Sequence, residues 1–97
     1  MTIIHLKQTH QLGFQKARAV ACAWAEEAET KLSMSCHYEE GDHVDCVSFK
    51  RSGVAGTLLV YPHEFEINAK LGLLFSPFKE RIETEIIQHL NAQLNDA

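Results

Sequence analysis

Residues 64–71 read Glu-Phe-Glu-Ile-Asn-Ala-Lys-Leu, and this stretch gives the clearest indication of the fold. Apolar and polar side chains alternate along it without a break, which is the pattern of a β-strand with one buried face and one solvated face. A sheet built from such strands has a single apolar face that other elements must cover. The stretch therefore predicts a twisted antiparallel sheet with its helices on one side.

Three further strands are predicted before this stretch, over residues 34–38, 43–51 and 57–61. Turn-forming residues separate them, at 40–42 and at 52–56. Because these connections are short, consecutive strands are expected to be antiparallel neighbours. The apolar alternation changes phase within the second of the three, which indicates either a bulge or a longer turn in the first hairpin.

A strand over residues 2–8 opens the chain, and a helix is predicted over residues 12–33. Along this helix, apolar residues recur at spacings of three and four on one stripe, with Trp24 as the expected anchor. The last helix is expected to begin at Ser76 and Pro77, since serine is a good N-cap and proline suits the first helical position. Its apolar stripe consists of Phe78, Ile82, Ile86, Ile87, Leu90 and Leu94.

Together these elements predict a single α+β domain over residues 1–97, in the order β-α-β-β-β-β-α. Both helices should cover the same face of an antiparallel sheet of four to five strands, because each helix has one apolar stripe to bury. The first strand would add to either edge of the four-stranded meander. The arrangement is similar to a reduced helix-grip fold, in which a curved sheet wraps a long C-terminal helix.

The composition excludes several classes of protein. Hydrophobic residues make up 45% and charged residues 23% of the chain, which is typical of a globular domain and not of a disordered one. The longest apolar run, residues 19–25, is far shorter than the ~20 residues that span a bilayer, and we expect no signal peptide. The net charge of −4 argues against nucleic acid as a partner. Acidic residues concentrate between Glu26 and Asp45, where we expect a solvated helix end and hairpin tip.

Cysteines and histidines give one candidate metal site. Cys36-His37 and His43-x-x-Cys46 flank the first hairpin turn, as pairs of zinc ligands do. Strand alternation, however, points Cys36 and His37 to opposite faces, so we expect no bound metal. With Cys22 the chain has three cysteines, too few for a disulfide scaffold, and they favour a cytoplasmic location.

Catalytic signatures are absent from the sequence, which contains no nucleophile elbow, phosphate-binding loop or dinucleotide-binding fingerprint. We therefore expect a protein that is not an enzyme and that needs no cofactor. The alternative is an enzyme acting on hydroxyacyl groups, in which His37 or His43 would serve as the base.

The segment from Leu71 to Phe78, Leu-Gly-Leu-Leu-Phe-Ser-Pro-Phe, is the best candidate for a working surface. It places bulky apolar residues in a connection where a small domain has little room to bury them. Either the segment folds back as a lid on the core, or it forms an exposed apolar patch for a partner, a lipid-like surface or a homodimer. The candidate residues are the apolar Leu73, Leu74, Phe75 and Phe78 and the basic Lys70, Lys79 and Arg81.

Four stretches of the chain resemble a family of small bacterial proteins, and together they span nearly the whole sequence. They are His10 to Gly13, Glu40 to Asp42, Phe49 to Gly56 and Leu71 to Glu83, of which the last is the most specific. On these stretches the sequence resembles the polyhydroxyalkanoic acid system proteins. The resemblance implies a setting in polyester granules or carbon storage, and it implies no catalytic residues.

From the residues and the resemblance together, we expect a non-enzymatic binding module of the polyhydroxyalkanoate system. Its partner would be the granule surface or a granule protein, contacted through the segment from Leu71 to Phe78. The alternative ligand is an acyl- or lipid-type small molecule in a cavity of the core. The expected lining of that cavity is Trp24, Phe49, Phe65, Ile82 and Ile86.

Overall fold

Five strands and two helices follow one another in the order predicted from the sequence. The computed structural model describes residues 2–96, with side chains described as far as residue 92, so the predicted stripe position Leu94 lies outside the described side chains. The elements are β1 (Thr2–Thr9), α1 (Phe14–Lys31), β2 (Ser35–Glu39), β3 (Asp45–Arg51), β4 (Val54–Val60), β5 (Glu64–Leu71) and α2 (Lys79–Asp96). A single 3₁₀ turn, Ser76–Phe78, leads into α2. The predicted α+β class is confirmed.

The strands form one antiparallel sheet in the order β1-β5-β4-β3-β2. The first strand therefore adds beside the last one, a choice that the sequence left open. Its pairing places Ile4 opposite Ala69 and Leu6 opposite Ile67, so that the apolar face of β5 continues onto β1. β5 is thereby paired on both sides, and β1 and β2 form the two edges of the sheet.

Both helices pack against the same face of the sheet. α1 contacts β2, β3 and β4, whereas α2 contacts β1 and lies beside α1. Trp24 of α1 is 3% exposed and meets the ring of Phe49 edge-on, with 5.3 Å between the ring centroids. Ile86 and Leu90 of α2 are buried in the same core, whereas Phe78 is exposed. Neither helix within residues 2–96 combines the length and the apolar character that crossing a membrane requires.

The predicted turn at residues 52–56 is wrong in its extent. The turn consists of Ser52 and Gly53 alone, because β4 already begins at Val54. Gly53 has a φ of 84°, which glycine adopts without strain. Gly56 lies inside β4, where a Cβ would collide with the backbone of β5. This second glycine permits a close approach between neighbouring strands and does not mark a turn.

The β2–β3 hairpin contains the longer turn, one of the two alternatives that the sequence allowed. Glu39 pairs with Cys46, and the register places Tyr38 opposite Val47. Asp45 therefore points to the same face as Val47, and its side chain is fully buried. The expectation that acidic residues in this region are solvated is wrong for Asp45.

Three donors hold the Asp45 carboxylate inside the protein. Arg18 of α1 donates from Nε at 2.7 Å and from Nη2 at 3.1 Å, the Gly41 amide donates at 2.9 Å, and the Tyr38 hydroxyl donates to Oδ2. The Arg18 guanidinium lies 4.2 Å from the centroid of the Phe14 ring. Burial raises the pKa of the Asp45 carboxyl, but these hydrogen bonds outweigh it, so the pKa lies below its usual value of 3.8. The network ties α1 to the β2–β3 hairpin.

We predict that Asp45→Asn lowers the free energy of unfolding by about 2–3 kcal/mol, because Arg18 loses its charged acceptor in a buried site. Since the pKa of Asp45 is lower in the folded state, its contribution is present above the unfolded-state value of about 3.9 and is lost as the pH falls through the folded-state value. The melting temperature, measured between about pH 7 and pH 2, should therefore fall less steeply with decreasing pH for the variant than for the wild type.

The matched control is Asp42→Asn, which removes the same charge from an exposed position of the same hairpin. It should change the free energy of unfolding by no more than about 0.5 kcal/mol. Equal losses in the Asp45 and Asp42 variants would contradict the role assigned to the buried carboxylate.

Candidate interaction surface

The connection between β5 and α2 is held in place by backbone hydrogen bonds. The Gly72 amide donates to the Gly53 carbonyl at 2.8 Å, which fixes the connection to the β3–β4 turn. The amides of Phe75 and Ser76 both donate back to the Gly72 carbonyl, at 3.0 and 3.1 Å. The Thr2 hydroxyl donates to the Ser76 hydroxyl at 2.6 Å and joins the start of β1 to the same point. The segment is therefore a defined turn and not a loose loop.

The four apolar candidates of this segment divide into two groups. Leu73 and Leu74 are 81% and 85% exposed, and Phe78 is 51% exposed. These three residues form what we call the apolar tip. Phe75 instead packs against the core, with its ring over Gly53, where a Cβ would collide with it. The sequence allowed two alternatives, a segment folded back on the core or an exposed apolar patch. Phe75 folds back on the core, and the other three residues are exposed.

The three basic candidates do not form one rim. Alternation along β5 places Lys70 on the uncovered face of the sheet, opposite Ile3 of β1. Lys79 and Arg81 follow the apolar tip at the start of α2, and each has an acidic partner one turn later. The Nζ of Lys79 lies 3.7 Å from a Glu83 carboxylate oxygen, and the Nε of Arg81 lies 3.6 Å from one of Glu85. The surroundings of the tip are therefore of mixed charge.

An apolar groove of about 280 Å³ opens beside the tip, where the end of α1, the β3–β4 hairpin and α2 meet. The expected cavity residues Trp24, Phe49 and Phe65 are instead packed in the core, at 3%, 2% and 1% exposure. Ile82 and Ile86, which were expected to line the same cavity, do line this groove. The apolar lining also includes Met34, Val54, Ala69 and Phe75.

The cysteine and histidine candidates lie apart from the groove and the tip. Among the described residues, no group of three or more histidine, cysteine or acidic side chains could hold a metal ion. Cys36 is half-buried, and burial raises the pKa of its thiol. His37 contacts a carboxylate oxygen of Glu39 at 3.2 Å, with about 70% of both side chains exposed, and His43 is also exposed. Neither His37 nor His43 is held by a carboxylate in a deep pocket, as a histidine base would be.

One titratable residue that the sequence reasoning missed has a structural role. His10 stacks on Phe65 with 4.6 Å between the ring centroids, and its Nδ1 accepts a hydrogen bond from the Leu12 amide at 3.2 Å. Its Nε2 therefore donates to the Tyr61 carbonyl, at 3.1 Å. Burial lowers the pKa of His10, which favours the neutral ring that this pairing needs. The residue joins the end of β1 to the β4–β5 turn.

We predict that the double substitution Leu73→Ser, Leu74→Ser changes the free energy of unfolding by no more than about 0.5 kcal/mol, because both side chains are already in water. Phe75→Ser should lower it by about 2 kcal/mol, since the ring packs over Gly53 and on the core. Chemical denaturation of the two variants beside the wild type measures both effects. A large loss in the double variant would show that the leucines are part of the core.

Comparison with known proteins places the whole chain in one family. Residues 4–94 match the family described as "Putative polyhydroxyalkanoic acid system protein". No curated protein sequence and no solved structure matches the chain. The family match agrees with the resemblance carried by the stretches from His10 to Glu83. Because the match covers nearly all of the 97 residues, this chain belongs to the family of polyhydroxyalkanoic acid system proteins.

Proposed function

We propose that the chain is a non-enzymatic binding module that docks on the surface of polyester granules through its apolar tip. Family membership supplies the polyhydroxyalkanoate setting. The observation that carries the proposal is the exposure of Leu73 and Leu74, at 81% and 85%, on a turn whose backbone is hydrogen-bonded in place. Contiguous exposed apolar side chains framed by polar residues are a feature of protein and membrane interaction sites.

The size of the tip sets the expected affinity. Burying a leucine or phenylalanine side chain contributes roughly 1.5–3 kcal/mol, so the three residues together contribute roughly 5–8 kcal/mol before other costs. The hydrogen bonds around Gly72 fix the turn before binding, which keeps the ordering cost low. A free energy of this size corresponds to dissociation constants between about 0.2 mM and 1 μM, before the loss of translational and rotational freedom weakens the binding.

Charge is expected to contribute little to the docking. The protein carries a net charge of −4, and Lys79 and Arg81 are each matched by a glutamate one helical turn away. An anionic coat on the granule would therefore repel the protein as a whole while attracting only these two side chains. We propose that the apolar tip drives the binding and that the protein works at the granule surface in the cytoplasm.

The proposal predicts that Leu73→Ser, Leu74→Ser abolishes sedimentation of the protein with bare polyhydroxyalkanoate beads. Loss of two leucines should weaken binding by about 100-fold or more. Binding of the wild type should change less than about threefold between low and high salt, because few charges take part. Bead sedimentation and the mass in solution, measured on the same samples, give the two readouts.

The matched control is Ile3→Ser, which removes another exposed apolar side chain, 61% exposed, from the uncovered face of the sheet. This variant should still sediment with the beads. A fall from dimer to monomer mass in the double leucine variant would instead identify the tip as a homodimer contact. Sedimentation with native granules but not with bare beads would show that the partner is a granule protein and not the polyester.

A further inference from the structure

The groove beside the tip is concave, apolar and lined by residues from four separate elements. Its lining includes Phe75 and Phe78 from the connection after β5, Ile82 and Ile86 from α2, and Met34, which precedes β2. Leu73 and Leu74 are not part of its lining. The groove is therefore a second feature of this end of the molecule, separate from the two leucines of the tip.

Three charged side chains also line the groove, and two of them are arginines. Arg51 is exposed and uses Nη1, one of its donor groups, to donate to the Leu32 carbonyl at 2.8 Å. The contact of Arg81 with Glu85 is long, at 3.6 Å, and exposed, so it is easily exchanged for another acceptor. The third charged side chain is Glu85, so the groove has a net charge of +1 in a protein whose net charge is −4.

The volume of the groove limits what it can hold. A cavity of about 150 Å³ lined by leucine, isoleucine and phenylalanine stays dry and binds one benzene ring. At about 280 Å³, the groove is nearly twice that size. It therefore has room for a linear chain of roughly eight to ten carbons.

We propose that the groove binds the free carboxylate of a medium-length aliphatic acid. The chain would lie along Met34, Ile82 and Ile86, and the carboxylate would sit between Arg51 and Arg81. Charge-assisted hydrogen bonds from two guanidinium groups match one carboxylate, whereas an alcohol or an ester offers only uncharged acceptors and a cationic head group is repelled. This inference goes beyond granule docking and does not depend on it.

Titration calorimetry with decanoate, below the concentration at which it forms micelles, tests the proposal on the intact protein. Binding should tighten by about two- to fourfold for each methylene from hexanoate to decanoate, because each added methylene is buried. Decanol and decyltrimethylammonium should bind at least about tenfold more weakly than decanoate. Equal affinity for decanoate and decanol, or no binding of decanoate at millimolar concentration, would overturn the proposal.

Two variants locate the ligand. Ile82→Trp fills the groove and should abolish binding, whereas Ile3→Trp adds the same side chain on the uncovered face and should leave it unchanged. The double variant Arg51→Gln, Arg81→Gln keeps the apolar lining and should remove the preference for decanoate over decanol. It serves as the decisive variant if Ile82→Trp does not fold. Unaltered preference in this double variant would overturn the placement of the carboxylate.

A last comparison separates this proposal from the docking function. The variant Leu73→Ser, Leu74→Ser should bind decanoate as the wild type does, because neither leucine lines the groove. Loss of bead binding with retained decanoate binding would support both proposals. Retained bead binding with loss of decanoate binding in Ile82→Trp would likewise support both, because that variant keeps the two leucines. Retained bead binding together with retained decanoate binding in the double leucine variant would support the ligand site alone.

Discussion

The sheet has one apolar face that must be buried, and this requirement fixes where the helices and the connections between elements lie. Five strands present a face too wide for one helix, so α1 and α2 lie side by side on it. The small residues of the α1 stripe, such as Ala17 and Ala21, bring that helix close to the strands, and Trp24 fills the space toward β3. β1 adds beside β5 and lies under α2. The chain must then turn sharply at the end of β5 to reach the start of α2, and this turn carries the apolar tip.

Local patterns predicted the elements but not all of their limits. The alternation of residues 64–71 and the two helical stripes depend on residues no more than four positions apart. These predictions are confirmed for the strand, for α1 and for Ile82, Ile86 and Leu90 of α2, whereas Phe78 is exposed in the turn before that helix. Gly53 and Gly56 give the same local signal, yet only the pairing of β4 with both of its neighbours shows which of them forms the turn. Asp45 occupies an apolar position of the strand because Arg18, 27 residues earlier, provides its counter-charge. No local pattern contains that partner.

The candidate surface could be predicted only in part for the same reason. Sequence identified the segment from Leu71 to Phe78 because its apolar content exceeds what a small domain can bury. The division between Phe75 and the two leucines depends on the space above Gly53, which exists only in the folded chain. The place of Lys70 on the uncovered face of the sheet follows from the alternation of β5. How far Lys70 lies from the apolar tip does not follow from that alternation. A groove lined by α2, by residues of β3, β4 and β5 and by the residues that follow α1 has no signature in any one of them.

The contact between Phe75 and Gly53 links two distant parts of the chain. A side chain at position 53 would occupy the space that the Phe75 ring now fills, and the turn after β5 would have to move outward. The φ of 84° at position 53 also disfavours any side chain, so a smaller residue at 75 would not by itself allow a larger one at 53. The position of the exposed leucines thus depends on a glycine 20 residues earlier in the chain.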